Sequence, residues 1–247
     1  MSIESKEELE GMKRAGRIVR MVLERMRRAV KPGVTTAELN RIGGGVMREH
    51  GARSAPRLVY GFPADTLISV NDAAVHGIPG ARVLCDGDLV KLDVTVEKDG
   101  FMADAAVTVG VGEVPEQRLR LIAAARAAFA RAMEVARPGV RVSEIGRAIE
   151  AEVRGRGLQV VRDLAGHGIG RTIHEAPSVP NYWEPTVTER LSEGMVIAVE
   201  PIVAERSGRV VMDADGWTMR TRDGGYTAHY EHTIVITRGK PLLLTAA

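Results

Sequence analysis

Residues 89–109 read LVKLDVTVEKDGFMADAAVTV, two apolar and β-branched runs on either side of Asp99-Gly100. Asp-Gly between such runs signals a two-residue hairpin turn, which needs positive φ at both central positions. Strand alternation puts Val90, Leu92, Val94 and Val96 on one face, and Lys91, Asp93, Thr95 and Glu97 on the other. A two-residue turn pairs Lys98 with Phe101 and places Asp104 opposite Thr95. Asp104 is then the diagonal neighbour of Asp93 on one face, roughly 7–8 Å away between backbones. Two converging carboxylates repel unless a cation lies between them. One divalent metal, or two, is the natural occupant. Taken alone, Asp93 reads as part of a solvated strand face. Asp104 does not, because its strand is otherwise small or apolar and a lone buried carboxylate is costly.

Working outward, the 247 residues suffice for a sizeable core, with 45% hydrophobic and 27% charged residues. The net charge of +2 gives no sign of a nucleic-acid-binding surface. The basic run from Arg25 to Lys31 lies in a helical pattern and reads as a solvated face. The single Cys85 excludes an internal disulfide framework and suits a reducing cytosol. No apolar run is long enough for a membrane span, and the acidic, polar N-terminal stretch is unlike a signal peptide. A soluble, cytoplasmic protein is expected.

Ser5 and Glu8 predict a capping box opening a helix. Met12, Ala15, Ile18, Val19, Val22 and Met26 continue it at helical spacing, and Pro32-Gly33 ends it. A second helix is predicted from Thr35 or Thr36 to about His50, with Gly51 as its stop. Then the chain starts again. A helix over 114–137, with Leu119, Ile122, Ala125, Phe129 and Met133 as its apolar face, precedes Pro138-Gly139-Val140 as the first helix precedes Pro32-Gly33-Val34. A shift of 106 residues superposes Arg20 on Arg126, Glu38 on Glu144, Arg48 on Arg154 and Gly51 on Gly157. A shift of 107 lays GDLVKLD (87–93) on GMVIAVE (194–200), which brings Asp93 and Glu200 to matching positions. We read one catalytic domain over 1–247, duplicated into halves at about 8–110 and 114–240. A site on the seam of such a fold would receive an acid from each side.

Further unusual acids and histidines follow the hairpin. His167 lies in GHGIG, where flanking glycines permit close backbone approach. His174 lies in TIHEAP. Glu200 sits inside the apolar run GMVIAVEPIV, and Glu231 enters a β-branched strand in AHYEHTIVI. Any one of them could be a satisfied core residue or half of an ion pair. Together, one histidine and four carboxylates without thiolates suit a hard or borderline divalent ion: Mn, Co, Fe(II) or Zn. Four negative charges nearly balance two such ions, which favours a dinuclear centre with metals roughly 3.5–4 Å apart.

The segments HGIP (76–79), LDVTVEKDGFMAD (92–104), GHGIGRTIHEAP (166–177), GMVIAVEP (194–201) and YEHTIVIT (230–237) resemble, in order and spacing, those of the methionine aminopeptidases. The resemblance runs from about Glu8 to Arg238. It implies the α+β pita-bread fold: two pseudo-symmetric halves, with helices outside a central antiparallel sheet. It implies that Asp93 chelates one metal, that Asp104 and Glu231 bridge both, and that His167 and Glu200 complete the other. A metal-bridging hydroxide would attack the first peptide bond, with Glu200 as proton shuttle to the leaving amine. His174 would stabilise the reacting carbonyl and His76 would contact substrate.

The implied methionine pocket falls at Val59, Phe62, Leu67, His76, Ile173 and Trp217. Many bacterial members carry Cys where Leu67 stands and aromatics where Val59 and Ile173 stand, so pocket shape and inhibitor sensitivity should differ here. Asn71, Ala73 and Thr227 align with a monovalent-cation site of relatives. The length is that of a bare type I, bacterial-form enzyme. It leaves no room for the helical insertion of type II enzymes or for an N-terminal extension. The implied partners are N-terminal Met peptides of nascent chains, with the ribosome nearby, acted on by a monomer. Two rivals share the scaffold. One is a proline-specific aminopeptidase or dipeptidase, usually larger at the N-terminus. The other is a non-catalytic binding protein, which would have lost ligands.

Overall fold

The structure is a computed structural model and describes residues 1–246. The first half runs α1 (Lys6–Ala29), α2 (Thr36–Glu49), β1 (Arg53–Ser54), α3 (Ala55–Tyr60), β2 (Leu67–Val70), β3 (Ala73–Val75), β4 (Leu89–Lys98) and β5 (Phe101–Gly110). The second opens with α4 (Glu116–Val135), α5 (Val142–Gly155), β6 (Gln159–Val160), β7 (Ala165–Gly168) and β8 (Glu175–Pro180). It continues through β9 (Val196–Val199), β10 (Ile202–Ala204), β11 (Val210–Met212), β12 (Met219–Thr221), β13 (Thr227–His229), β14 (His232–Val235) and β15 (Leu242–Leu243). A shift of 106 residues carries the end of α1 onto that of α4, and both ends of α2 and β1 onto those of α5 and β6. A shift of 107 carries the start of β4 onto that of β9. Where β4 runs unbroken through Asp93, its counterpart divides into β9 and β10 at Glu200-Pro201, since proline cannot donate to a ladder.

The hairpin has the expected register: Lys98 faces Phe101, Thr95 faces Asp104 and Asp93 faces Ala106. Asp99 (φ +52°) and Gly100 (φ +80°) both take the left-handed conformation of a type I′ turn. Neither face of β4 is solvated. Val90, Leu92, Val94 and Val96 pack in the core with α1, and Lys91, Thr95 and Glu97 on the other face are buried too. The solvated-face reading of Asp93 therefore fails.

Three helical details depend on local chemistry. In α1, Ser5 Oγ accepts from the Glu8 N–H, but the Glu8 carboxylate accepts from Glu4 rather than from Ser5, so only half of the expected capping box forms. Thr35 and Glu38 make the full reciprocal box on α2. The predicted face of α4 needs correction. Leu119 is 47% exposed, and the buried face is Leu121, Ala124, Ala125, Ala128, Phe129 and Ala132. Alanines let α4 lie close against α5, so the large residues at the margin do not mark the buried side.

All strand pairs are antiparallel, divided among four sheets. The halves meet between β5 and the β13–β14 segment. There Ala106 and Glu231 exchange backbone hydrogen bonds of 2.9 and 3.3 Å. On one side of this pair Thr233 Oγ1 accepts from the Asp104 N–H and donates to the Asp104 carbonyl, both at 2.8 Å. On the other side Thr108 Oγ1 does the same for His229, at 2.7 and 2.8 Å. One threonine from each half thus bridges strands that do not bond directly at those positions. Among the described residues no helix is long and apolar enough to cross a membrane.

Candidate metal centre and substrate pocket

The carboxylates converge on that seam. Asp93 comes from β4 and Asp104 from β5, two rungs of one hairpin. Glu200 stands at the β9–β10 break. Continuing the ladder in which His232 faces Val199 and Ile202 faces His229 sets Glu200 opposite Glu231. His167 lies on β7, squeezed between β8 and β9. A Cβ on Gly166 would press into the Ala198 carbonyl oxygen and one on Gly168 into that of Ala176, so glycine is required on both sides of the histidine.

Asp104, His167 and Glu231 present ligand atoms within 4.8 Å of one another. Glu200 Oε1 lies 3.7 Å from His167 Nε2. His167 Nδ1 faces the Gly168 carbonyl oxygen at 2.9 Å, so as donor there it leaves the Nε2 lone pair for the site. Burial pushes Asp93, Glu200 and Glu231 well above the usual carboxylate range, and their acidic neighbours push them further. Burial raises Asp104 to about 6 against hydrogen bonds that oppose the rise. Burial lowers His167 to about 4, so its ring is neutral and free to ligate. Among the described residues, Asp104 Oδ1 and Glu231 Oε1 are buried without a hydrogen-bond partner. Crowded acids with orphaned oxygens and a neutral imidazole fit a divalent ion.

One cluster member was not anticipated. His229 is 2% exposed, with Nε2 3.6 Å from both Glu200 Oε2 and Glu231 Oε2. Burial holds its pKa near 3. Strand alternation in AHYEHTIVI places it on the Glu231 face, which was the signal available in sequence.

Asp93 and Asp104 also form the floor of a cavity of about 80 Å³. Phe62, Leu67, His76, Ile173, His174 and Trp217 line it. Phe62 and Trp217 meet edge to face, ring centroids 5.2 Å apart. Val59 is 42% exposed and is not part of the wall. Its side chain leaves α3 toward solvent, and Pro56 and Tyr60 of the same helix take its place. Tyr60 Oη lies 2.6 Å from His174 Nδ1, a contact between residues 114 apart in sequence. His76 adopts φ +59°, unusual for a histidine, and burial lowers it to about 4. Burial also lowers His174, so both rings are neutral near pH 7.

Asn71, Ala73 and Thr227 do come together, since Thr227 Oγ1 lies 3.2 Å from the Asn71 carbonyl oxygen and 3.4 Å from that of Ala73. The Asn71 carbonyl oxygen and the Thr227 oxygens also accept from the ammonium of Lys91, whose Nζ is 2.6 Å from the Asn71 carbonyl oxygen.

A family profile described as metallopeptidase family M24 matches residues 10–238. Methionine aminopeptidase 2 of Bacillus subtilis is 43% identical over 247 residues, 99% of each chain. A crystal structure of methionine aminopeptidase from Thermotoga maritima superposes with a TM-score of 0.96 at 37% identity, covering 100% of both chains. Prolidase from Pyrococcus furiosus shares the fold, with a TM-score of 0.78 at 24% identity, and this chain covers 65% of it.

Proposed function

Because the chain belongs to metallopeptidase family M24, with the pita-bread fold of its structural neighbours, we propose that it is a methionine aminopeptidase that removes the initiator methionine from nascent proteins. The observation that carries this reading is a cluster of four carboxylates and a neutral imidazole, two of whose acids, Asp93 and Asp104, also form the floor of a small, largely apolar cavity. About 80 Å³ suits one unbranched side chain, and a thioether is well matched to the Phe62–Trp217 pair.

In this reading Asp93, Asp104, His167, Glu200 and Glu231 would hold two divalent ions, of Co, Mn, Fe(II) or Zn. Such ions, when bound, would supply Lewis acidity for the scissile carbonyl and for a water nucleophile at neutral pH. The protein does the rest. Glu200 carries a proton on a carboxylate oxygen toward the leaving amine. Tyr60 Oη, 2.6 Å from His174 Nδ1, would as donor fix the tautomer whose Nε2–H donates to the carbonyl oxygen as that oxygen gains charge. His76, neutral and held in its left-handed turn, contacts substrate beside the scissile bond. Phe62, Leu67, Ile173 and Trp217 hold the methionine side chain and keep water from it. We place the reaction in the cytoplasm, on nascent chains near the ribosome, and carried out by a monomer.

The test is release of methionine from Met-Ala and Met-Gly peptides by chelator-stripped protein given Mn(II), Co(II) or Fe(II). Folded protein that releases none under any of the three would overturn the reading. Preferential cleavage of Xaa-Pro peptides would support the proline-specific alternative instead.

A further inference from the structure

Lys91 is only 1% exposed and is the largest of the fully buried side chains. A buried ammonium ordinarily rests on a carboxylate. This one rests on neutral oxygens: the Asn71 carbonyl at 2.6 Å, the Thr227 hydroxyl at 3.1 Å and the Thr227 carbonyl at 3.3 Å. Asn71 is held for this task. It takes φ +57°, exchanges backbone and side-chain hydrogen bonds of 2.9 Å with Leu89, and donates through Nδ2 to Asp88 at 2.8 Å. Three oxygen acceptors on Nζ favour the charged form.

The three segments that meet at Nζ each lead to the metal centre or its pocket. Lys91 precedes Asp93 by two residues on one face of β4. Thr227 begins the alternation that continues through His229 to Glu231. Asn71 opens the turn into β3, which ends beside His76.

We propose that Lys91 is a positioning residue: its ammonium is a tethered monovalent cation that fixes the strands of Asp93 and Glu231 and the His76 turn relative to one another. The chain therefore needs no free K+ or Na+ to organise its metal centre. A carbonyl-lined site of this kind accepts an ammonium or an alkali ion at similar distances, so deletion of the side chain should transfer the task to the salt.

The experiment compares wild type, Lys91→Ala and Lys91→Met in choline chloride, NaCl and KCl at matched ionic strength. It reads Mn(II) affinity by calorimetry, melting temperature and, on a Met-Ala peptide, kcat and KM. The kinetic readings rest on the proposed function. Mn(II) affinity and melting do not, so failure to cleave Met peptides leaves them valid. Wild type should be indifferent to the cation. Lys91→Ala in choline should lose about 10- to 100-fold in Mn(II) affinity, with kcat falling and KM little changed, and K+ should restore most of it. Lys91→Met fills the space without charge, so K+ should not rescue it. A specific gain of wild type with K+ would overturn the proposal. So would wild-type behaviour of Lys91→Met in choline, or a Lys91→Ala protein that stays metal-poor or unfolded in every salt.

Discussion

Asp104→Asn should make the metal-free protein more stable and the metal-loaded protein less so. Asp104 is 6% exposed, one of its oxygens has no partner, and burial lifts its pKa from the ordinary 3.8 to about 6. A raised carboxylate pKa means that the folded state binds a proton more tightly than the unfolded chain does. The group therefore costs stability at high pH, and that cost vanishes as pH falls below about 4. A rise from 3.8 to about 6 corresponds to about 3 kcal/mol above both values. Asparagine has the same shape, no charge, and a donor to offer Asp93, so chelator-treated Asp104→Asn should regain that energy at pH 7.5. For a chain of this length the gain is about 6–12 °C in melting temperature. The advantage should shrink as pH falls toward 4. Free metal at 100 times its Kd should raise wild type by about 3 kcal/mol and the variant hardly at all, so the ranking of the two proteins reverses. Differential scanning fluorimetry across pH, with and without Mn(II), reads this directly. A metal-free variant less stable than wild type at pH 7.5 would refute the electrostatic argument. A variant that keeps wild-type Mn(II) affinity would refute the ligand role.

Other expectations follow from the same geometry. Thr233→Val strips both hydrogen bonds from the Asp104 backbone and should weaken Mn(II) binding about 10- to 100-fold by calorimetry, whereas Thr233→Ser should remain near wild type. His174→Ala should keep Mn(II) affinity and lower kcat on Met-Ala peptides about 100- to 1000-fold; normal turnover would show that another group faces the carbonyl. Phe62→Ala should raise KM for Met peptides and cost about 3–5 kcal/mol in chemical denaturation, with metal affinity unchanged. An unchanged KM there would put the methionine side chain elsewhere.

Legibility tracked how local each signal was. The Asp99-Gly100 turn set a register that ran intact to Gly110, because turn chemistry and strand alternation are both short-range. The duplication was readable because both halves keep the same helix ends and Pro-Gly stops. The α4 face was not, because four alanines carry little weight in an apolar pattern yet decide how closely a helix packs. Tyr60 and Val59 are adjacent on a short helix whose rotation is set by the pocket it borders, so sequence could not tell which one faced in. Lys91 was read only as part of the polar face of β4. Two of its three acceptors are backbone carbonyls, one of them 136 residues away, and no side-chain pattern announces a carbonyl.

The seam explains why the site sits where it does. Two paired strands normally leave no space for four carboxylates, since each rung brings backbones within hydrogen-bonding distance. Here Ala106 and Glu231 hold one direct pair, and Thr108 and Thr233 bridge the positions on either side. The hydroxyls keep the backbone groups of Asp104 and His229 satisfied although those residues do not bond directly across the seam, so the opening leaves no buried orphans on the main chain there. Among the described residues, Asp104 Oδ1, Glu231 Oε1 and His229 Nε2 are buried side-chain atoms without a hydrogen-bond partner, and all three face the centre. The two orphaned carboxylate oxygens thus lie where a cation can satisfy them. That arrangement ties stability to metal binding, because the repulsion that the acids impose on the metal-free chain is removed by the ion that makes the site competent.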